Sequence, residues 1–390
     1  RRETVGGRVR TVERDGYRFD RGFQVLFTAY PAVQRELDLE ALDLRRFAPG
    51  ATIAGPTGRS TLADPLREPD TIASTLSNPA VSVGDALRIV RLWWTLRRTD
   101  PETLLDGGSD RTIRAFLDER GFSDRFVETF VAPFYGGITL DRSLSTSSRI
   151  FEYTFRTLAA GEIAVPAAGM GAIPRQLADR VHEAGGTIET GVEVEAVTAS
   201  DDSSGTVTVE TGSESIAADA VVVATDPPAA RDLTGVDAIP TDARGCVTQY
   251  YALPAAVDLE TDRRLLLNAT ETGPNHVVPH SAVAPTYAPD GTTLISATYL
   301  GGEGQRPSKR SDASHGAAET DSDLADLTRR TLASWYPNQR FDDLETLYTE
   351  RVPFAQFPAE KVESLQADSL LVGRARCRAV GGRLVEQLHV

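Results

Sequence analysis

A long apolar run near the middle of the chain most constrains its fold. Residues 218–225 read Ala-Asp-Ala-Val-Val-Val-Ala-Thr, and a continuous apolar stretch of this kind is typical of a strand buried on both faces of a parallel sheet. A helical pattern over 175–184, a strand pattern over 192–197 and a second strand pattern over 206–211 precede it. The order predicts a helix and two strands that lead into a buried central strand.

Glycine-rich motifs at two places in the chain resemble a known family. The chain opens with Val5-Gly-Gly-Arg8-x-x-Thr11, followed by Gly16-x-x-x-Asp20-x-Gly22. A second block runs from Pro166 (P-A-A-G-M-G-A-I-P) through G-G-T-I at 185–188 to the apolar run. Both blocks are similar, in content and order, to segments of flavin-containing amine oxidases and phytoene desaturase-type oxidoreductases.

The resemblance implies an α/β fold built from two interleaved domains. One is a Rossmann-like FAD-binding domain of the GR2 type, incomplete in this chain, and the other is an α+β substrate domain. The implied segments are 1–30, 160–228 and 345–373 for the FAD-binding domain, 31–159 and 229–344 for the substrate domain, and 374–390 for a divergent tail.

The same resemblance implies FAD as the cofactor and indicates which residues contact it. Glycine permits close approach of the backbone to the diphosphate, and arginine pairs with phosphate. Val194 would contact adenine through its backbone, although a core strand position explains it equally. The last two positions of the apolar run would lie near the cofactor, unless they form a plain turn. The implied cofactor-binding residues are Gly6, Gly7, Arg8, Val194, Ala224 and Thr225.

The two ends of the chain depart from the family pattern. The implied phosphate-binding turn and its acidic ribose partner would precede Arg1, and the only methionine is Met170. The segment 369–373 follows the family's C-terminal motif, but Arg374 stands where an aspartate is expected. A reading-frame change or natural divergence would explain this departure. We therefore expect this chain to bind FAD weakly or not at all.

Few catalytic side chains are expected, because a flavin accepts hydride itself. No catalytic residue is assigned, and we find no Ser/His/Asp triad or telling pair of carboxylates. Neither Lys309 nor Lys361 aligns with the lysine that amine oxidases of this family place near the flavin. A desaturase-type reaction on an apolar substrate, such as an isoprenoid, is therefore favoured over amine oxidation. The alternative is a non-catalytic remnant, or a protein that binds a lipid-like ligand without FAD.

The charge composition suggests a salt-rich cytoplasm. The formal net charge is -15, and the 41 basic residues include only two lysines. An acidic surplus keeps a protein soluble where salt screens repulsion, whereas codon bias would explain the loss of lysine but not the excess of acid. The same balance argues against nucleic-acid binding.

Metal sites and disulfides are not expected. Cys246 and Cys377 are far apart in the sequence and lack the spacing of metal ligands. Two such cysteines do not indicate a disulfide framework, so a reducing compartment is the default expectation. His276 and His280 lie four apart, but Pro279 separates them and no acid is suitably placed.

Residues 84–98 have the pattern of an amphipathic helix, which suits either a membrane surface or the protein core. Residues 84–98 carry apolar side chains at helical spacing with arginine on the other face. Such a helix could contact a membrane surface, although a core helix of the substrate domain is favoured. The chain contains no apolar run of the roughly 20 residues that would span a bilayer.

Overall fold

A computed structural model describes most of the chain as a set of strands and helices. The described residues are 2–63, 67–68, 80–106, 111–199, 206–237, 239–301 and 320–356. The strands are β1 (Thr11–Arg14), β2 (Tyr17–Asp20), β3 (Leu26–Phe27), β4 (Leu44–Arg46), β5 (Ala51–Gly55), β6 (Gly58–Leu62), β7 (Ile163–Pro166), β8 (Val194–Ala199), β9 (Val207–Thr211), β10 (Ser215–Ala218), β11 (Arg244–Pro254), β12 (Leu265–Asn268), β13 (His276–Val278), β14 (Thr292–Leu300) and β15 (Glu345–Gln356). The helices are α1 (Pro31–Glu36), α2 (Val83–Arg97), α3 (Pro101–Asp106), α4 (Ile113–Glu119), α5 (Asp124–Phe126), α6 (Ala132–Thr139), α7 (Ser148–Ala160), α8 (Ala172–Glu183), α9 (Pro227–Thr234), α10 (His280–Val283) and α11 (Asp321–Trp335).

The largest sheet in the described part of the chain has seven strands. Its strand order is β15-β11-β14-β13-β12-β5-β6. Only β12 and β5 pair in parallel, and the other neighbours are antiparallel. Residues 55–58, Gly-Pro-Thr-Gly, form the β5–β6 turn, at which Gly55 pairs with Gly58. Both tyrosines at the centre of β11, Tyr250 and Tyr251, are fully buried.

A layer of helices packs beside this sheet. The buried helix α7 contacts α2, α3 and α4, and a π-helical turn (Val127–Val131) joins α5 to α6. Aromatic side chains form much of the shared core, with Phe116 and Phe151 at 5.5 Å between ring centroids. Helix α6 also contacts β12 and β13, which brings Gly137 close to Asn275 and His276.

Three small antiparallel sheets complete the described chain. They are β1-β2, β3-β7-β4 and the meander β10-β9-β8. The mixed α/β class is thus confirmed. The interleaved domain boundaries stay a prediction; the strand at 345–356, which that prediction assigns to the FAD-binding domain, is hydrogen-bonded to β11 at the edge of the large sheet.

The prediction of a buried strand over 218–225 is wrong. β10 ends at Ala218, the residues that follow it are in no strand, and Val222 is 89% exposed. An apolar sequence becomes a buried strand only where neighbouring strands satisfy its backbone groups and cover both faces. Residues 219–225 belong to none of the strands that the structure describes.

Candidate functional site

The N-terminal loop has a backbone conformation that favours glycine. Gly6 and Gly7 have φ of +109° and +55°, and the Val9 N–H donates to the Gly6 carbonyl at 2.8 Å. A Cβ atom on Gly6 would lie 2.3 Å from the Val9 oxygen and 2.9 Å from Pro174 Cγ. A Cβ on Gly7 would meet nothing within 4 Å. The loop is therefore tight on one side and open on the other, where its backbone can be approached.

Arginine side chains crowd around this loop. Arg2 donates to the Gly7 carbonyl at 2.8 Å, and Arg8 donates to the Ala355 carbonyl at 2.9 Å. Burial, and then the positive charges of Arg21 and Arg10, lower the pKa of Arg2. The Arg21 Nε lies 2.7 Å from Glu350 Oε1, a half-buried ion pair. Positive charge thus accumulates beside the exposed loop, an arrangement that suits an anionic group such as a diphosphate.

The structure brings two other predicted segments toward the loop. The Gly191 N–H, three residues before Val194, donates to the Arg2 carbonyl at 2.8 Å. The carboxylate of Asp226, next to Thr225, acts electrostatically on Arg2. Val194 is partly exposed at 38%, and Ala224 and Thr225 are exposed. The assignment of these residues to a cofactor stays a prediction.

A buried carboxyl group anchors the segment that follows the loop. Asp20 is 1% exposed and accepts hydrogen bonds from Thr11 Oγ1 (2.6 Å), the Met170 N–H (2.9 Å) and Tyr287 Oη (2.9 Å). Burial raises its pKa although these three donors oppose the shift. Tyr250 Oη donates to the Asp20 carbonyl at 2.9 Å. Asp20 therefore ties β2 to both glycine-rich blocks and to the large sheet.

A cavity of about 170 Å³ opens beside this anchor. The residues directly after Asp20 form one wall, and α6 and β12 form the others. Among the described residues no acidic side chain lines it. The apolar lining residues are Phe23, Val25, Phe27, Pro133, Phe134, Ile138, Leu140, Ile163, Leu265, Leu267, Val352 and Ala355, and the polar ones are Arg8, Arg21, Gln24, Cys246, His276 and Gln356.

Two groups that often act in catalysis face this cavity in uncharged form. Burial lowers the pKa of His276 to about 4. Burial, with a contribution from Glu350, raises the pKa of the Cys246 thiol to about 12. Both side chains are therefore neutral near pH 7. The strand β13 places His276 opposite Leu267 of β12, and its ring centroid lies 5.0 Å from that of Phe23.

Neither a metal centre nor a spanning helix is found in the part of the chain that the structure describes. Within those residues no three His, Cys, Asp or Glu side chains are grouped so as to hold a metal ion. His280 is engaged elsewhere, with its Nε2 at 2.8 Å from Ser296 Oγ. No described helix is long and apolar enough to cross a membrane.

The residues present fit a flavin nucleotide. A glycine loop with an open face and several guanidinium groups suits a diphosphate, and the adjoining apolar cavity suits a ring and a substrate. The sequence identified the glycine loop at Gly6 and Gly7. It did not identify Phe23, Gly137 and His276 as residues that line the cavity. The signal for Phe23 was available, because it directly follows the Asp20-x-Gly22 motif.

Comparisons with known proteins point to one family. The family model described as flavin containing amine oxidoreductase matches residues 1–376. No curated protein sequence matches.

Several solved structures share the fold at low identity. A putative protoporphyrinogen oxidase from Exiguobacterium sp. 255-15 has a TM-score of 0.66 and 16% identity, over 100% of this chain and 91% of that chain. Putrescine oxidase bound to putrescine has a TM-score of 0.64 and 14% identity, over 99% and 92%. A fatty acid isomerase from P. acnes that produces CLA has a TM-score of 0.60 and 11% identity, over 100% and 90%.

Proposed function

The chain belongs to the family of flavin-containing amine oxidoreductases, and on that premise we propose that it is an FAD-dependent oxidoreductase acting on an apolar small molecule. Bound FAD would supply the hydride acceptor. The remaining work falls to the protein: to hold the diphosphate, to orient the substrate and to exclude water from the cavity.

The lining of the cavity carries the substrate proposal. An ammonium group in a cavity is stabilised most strongly by carboxylates. Here two arginines and no acid are found among the described lining residues, so a protonated amine would meet like charge. Aliphatic and aromatic walls instead favour an uncharged, apolar substrate. Desaturation of such a substrate therefore remains favoured over oxidation of an amine.

The N-terminal loop is the proposed diphosphate site. Gly7 leaves its backbone open to a ligand, and Arg8 lies beside it with its guanidinium on the end of β15. A charge-assisted hydrogen bond to a phosphate contributes about 1.5–3 kcal/mol. Asp20 holds the adjoining segment rigid through its three hydrogen bonds.

FAD titration, followed by flavin fluorescence quenching, tests the proposal. Arg8→Ala should weaken FAD binding by roughly 10- to 100-fold. Arg14→Ala is the matched control, because this arginine is exposed in the β1–β2 hairpin and pairs with the adjacent Asp15. Equal affinities for both variants would reject the diphosphate assignment. Complete absence of flavin binding, together with uptake of an apolar ligand, would support a ligand-binding protein instead.

We also propose a peripheral contact between α2 and an anionic lipid surface. The helix buries Leu92 and Leu96, but an apolar stripe on it stays exposed and falls at helical spacing. The exposed residues are Val83 (69%), Leu87 (68%), Val90 (46%) and Trp94 (49%).

The charges on this helix favour an anionic partner. The only acid of α2, Asp85, is buried, whereas Arg91 and Arg97 are exposed. This local positive charge contrasts with a protein of net charge -15. An apolar stripe beside basic residues is typical of helices that lie in a membrane interface.

Vesicle flotation separates this proposal from an ordinary surface helix. Binding to vesicles containing phosphatidylglycerol should exceed binding to phosphatidylcholine vesicles, and Leu87→Ser with Trp94→Ser should abolish it. Leu177→Ser is the control, because Leu177 is an exposed apolar residue (39%) on α8. Binding that does not depend on these substitutions would reject α2 as the contact surface.

A further inference from the structure

His276 has a fixed orientation and a fixed tautomer. It is 3% exposed, and its Nδ1 lies 3.0 Å from Asn275 Nδ2. The same Asn275 nitrogen donates to the Pro133 carbonyl at 2.8 Å, which identifies it as the amide N–H₂ group. A donor on Asn275 requires Nδ1 of the neutral imidazole to accept, so its hydrogen resides on Nε2.

The Nε2 hydrogen has no acceptor in the described structure. Nε2 is buried and has no hydrogen-bond partner among the described residues. The histidine lines the cavity, where apolar side chains such as Phe23 and Leu267 surround it. Gly137 allows this approach, because a Cβ there would lie 3.2 Å from His276 Nδ1. A buried donor with no partner is costly and uncommon in native proteins, so an acceptor is expected on whatever fills the cavity.

We propose that the Nε2–H group of His276 donates a hydrogen bond to an uncharged oxygen acceptor on the molecule that occupies the cavity. His276 would thereby select ligands that carry a carbonyl group on an otherwise apolar skeleton. This inference rests on the proposed function and names the polar group that the apolar substrate, or the cofactor beside it, presents. Selection follows because a ligand of the same shape without the oxygen leaves the donor buried and unpaired.

Two molecules could supply the same acceptor chemistry. A carbonyl oxygen is present on a flavin ring and could equally belong to the substrate. His276 acts in both cases as a positioning and specificity residue, because its neutral imidazole holds the proton near pH 7 rather than releasing it.

A pair of probes of equal shape tests the selection. Acetophenone carries a carbonyl oxygen where α-methylstyrene carries a methylene group, and both suit a cavity of about 170 Å³, since an apolar cavity of about 150 Å³ accommodates benzene. The full chain should bind acetophenone about 10-fold more tightly. His276→Phe should reduce this preference to near unity, and His276→Gln, which keeps an N–H donor, should restore part of it. His182→Phe, at an exposed histidine of α8, should leave it unchanged.

Nuclear magnetic resonance of ¹⁵N-histidine identifies the source of the acceptor. If the substrate supplies it, the Nε2–H resonance of His276 should shift with acetophenone and stay unchanged when FAD is added alone. If the flavin supplies it, FAD alone should shift that resonance and remove the ketone preference.

Other results would overturn the inference. Equal affinity for the two probes, a preference that survives His276→Phe, or a His276 resonance that responds to neither acetophenone nor FAD would each do so. Failure of the proposed function is seen separately, as absence of FAD binding with the ketone preference intact.

Discussion

Asp20 shows how one buried residue can hold several segments together at an electrostatic cost. Its carboxyl group accepts from Thr11, Met170 and Tyr287, which joins β1, the start of α8 and the region after α10. Burial still raises its pKa, so the charged form is less stable in the folded protein than in the unfolded chain. Its role is therefore geometric, and an amide of the same shape can replace most of it.

Asp20→Asn should be tolerated, whereas Asp20→Ala should lower the free energy of unfolding by about 2–4 kcal/mol because buried donors lose their acceptor. Because the pKa of Asp20 is higher in the folded protein than in the unfolded chain, the protonated carboxyl group favours folding. This contribution to the free energy of unfolding is complete below the pKa of the unfolded chain, near 4, and is lost as pH rises through the pKa of the folded protein. The stability of the native protein relative to Asp20→Asn should consequently fall as pH rises from 4. Urea unfolding of both proteins at several pH values measures this difference. A difference that does not change with pH would contradict the raised pKa.

The buried histidines predict the opposite response to acid. Burial lowers the pKa of His276 to about 4 and, with repulsion from His276, that of His280 to about 3. Their stabilising effect is complete above the unfolded pKa of about 6.5 and is lost as pH falls toward 4. Each should reduce the free energy of unfolding by up to about 1.4 kcal/mol per pH unit in that window. His276→Phe should reduce the slope, and His182→Phe should not.

At the level of residues, sequence reasoning succeeded where a motif fixed several positions at once. Gly6 and Gly7 were singled out, and both have positive φ. His276 was considered only as a metal ligand beside His280, because spacing along the chain was the available signal. Its actual environment comes from Asn275, Pro133 and Gly137, and the last two are distant in sequence. No local pattern could report that contact.

Single elements show where local chemistry overrides helical spacing. Val33, Leu37 and Leu42 follow Pro31 at a spacing that favours a helix over residues 31–44, but α1 ends at Glu36. Asp38 Oδ1 accepts from the backbone N–H groups of Glu40 and Ala41, both at 3.0 Å, and this turn competes with helix formation. By contrast, the helix predicted over 84–98 is confirmed within one residue at each end, as α2, and the sequence pattern also matches α11 (Asp321–Trp335). Both begin with a capping box, which fixes the start of a helix in the sequence.

These two capping boxes differ in burial, so their contributions to the free energy of unfolding should also differ. In α2, Asp85 is fully buried and also accepts from Ser123 N–H (2.9 Å) and Ser123 Oγ (2.7 Å), which ties α2 to α5. In α11, Asp323 accepts from Thr320 at the surface, and the described residues give it no second partner. Asp85→Ala should cost about 3 kcal/mol, because it leaves buried donors unpaired. Asp323→Ala should cost about 1 kcal/mol. Thermal and urea unfolding of the two variants compare these values, and equal costs would contradict the structural difference.

The whole molecule carries two electrostatic effects that respond oppositely to salt. Its net charge of -15 gives self-repulsion, which salt screens. Its arginines form ion pairs, such as Arg46–Glu162 and Arg111–Glu119 at 2.5 Å, which salt weakens. Exposed pairs contribute little, about 0–1 kcal/mol each. We therefore expect relief of repulsion to dominate, and the proposed location in a salt-rich cytoplasm depends on this balance.

Raising KCl from low to molar concentration should accordingly raise the melting temperature. The slope should decrease when exposed acids are neutralised, as in the triple variant Glu189→Gln, Asp219→Asn and Asp232→Asn, because less repulsion remains to be screened. A matched variant that removes arginine charge, Arg14→Gln with Arg46→Gln, increases the net negative charge and should steepen the slope. Differential scanning calorimetry over a KCl series measures all three proteins. A melting temperature that is indifferent to salt, or that falls, would show that ion pairs outweigh repulsion, and adaptation to a salt-rich cytoplasm would then have no support.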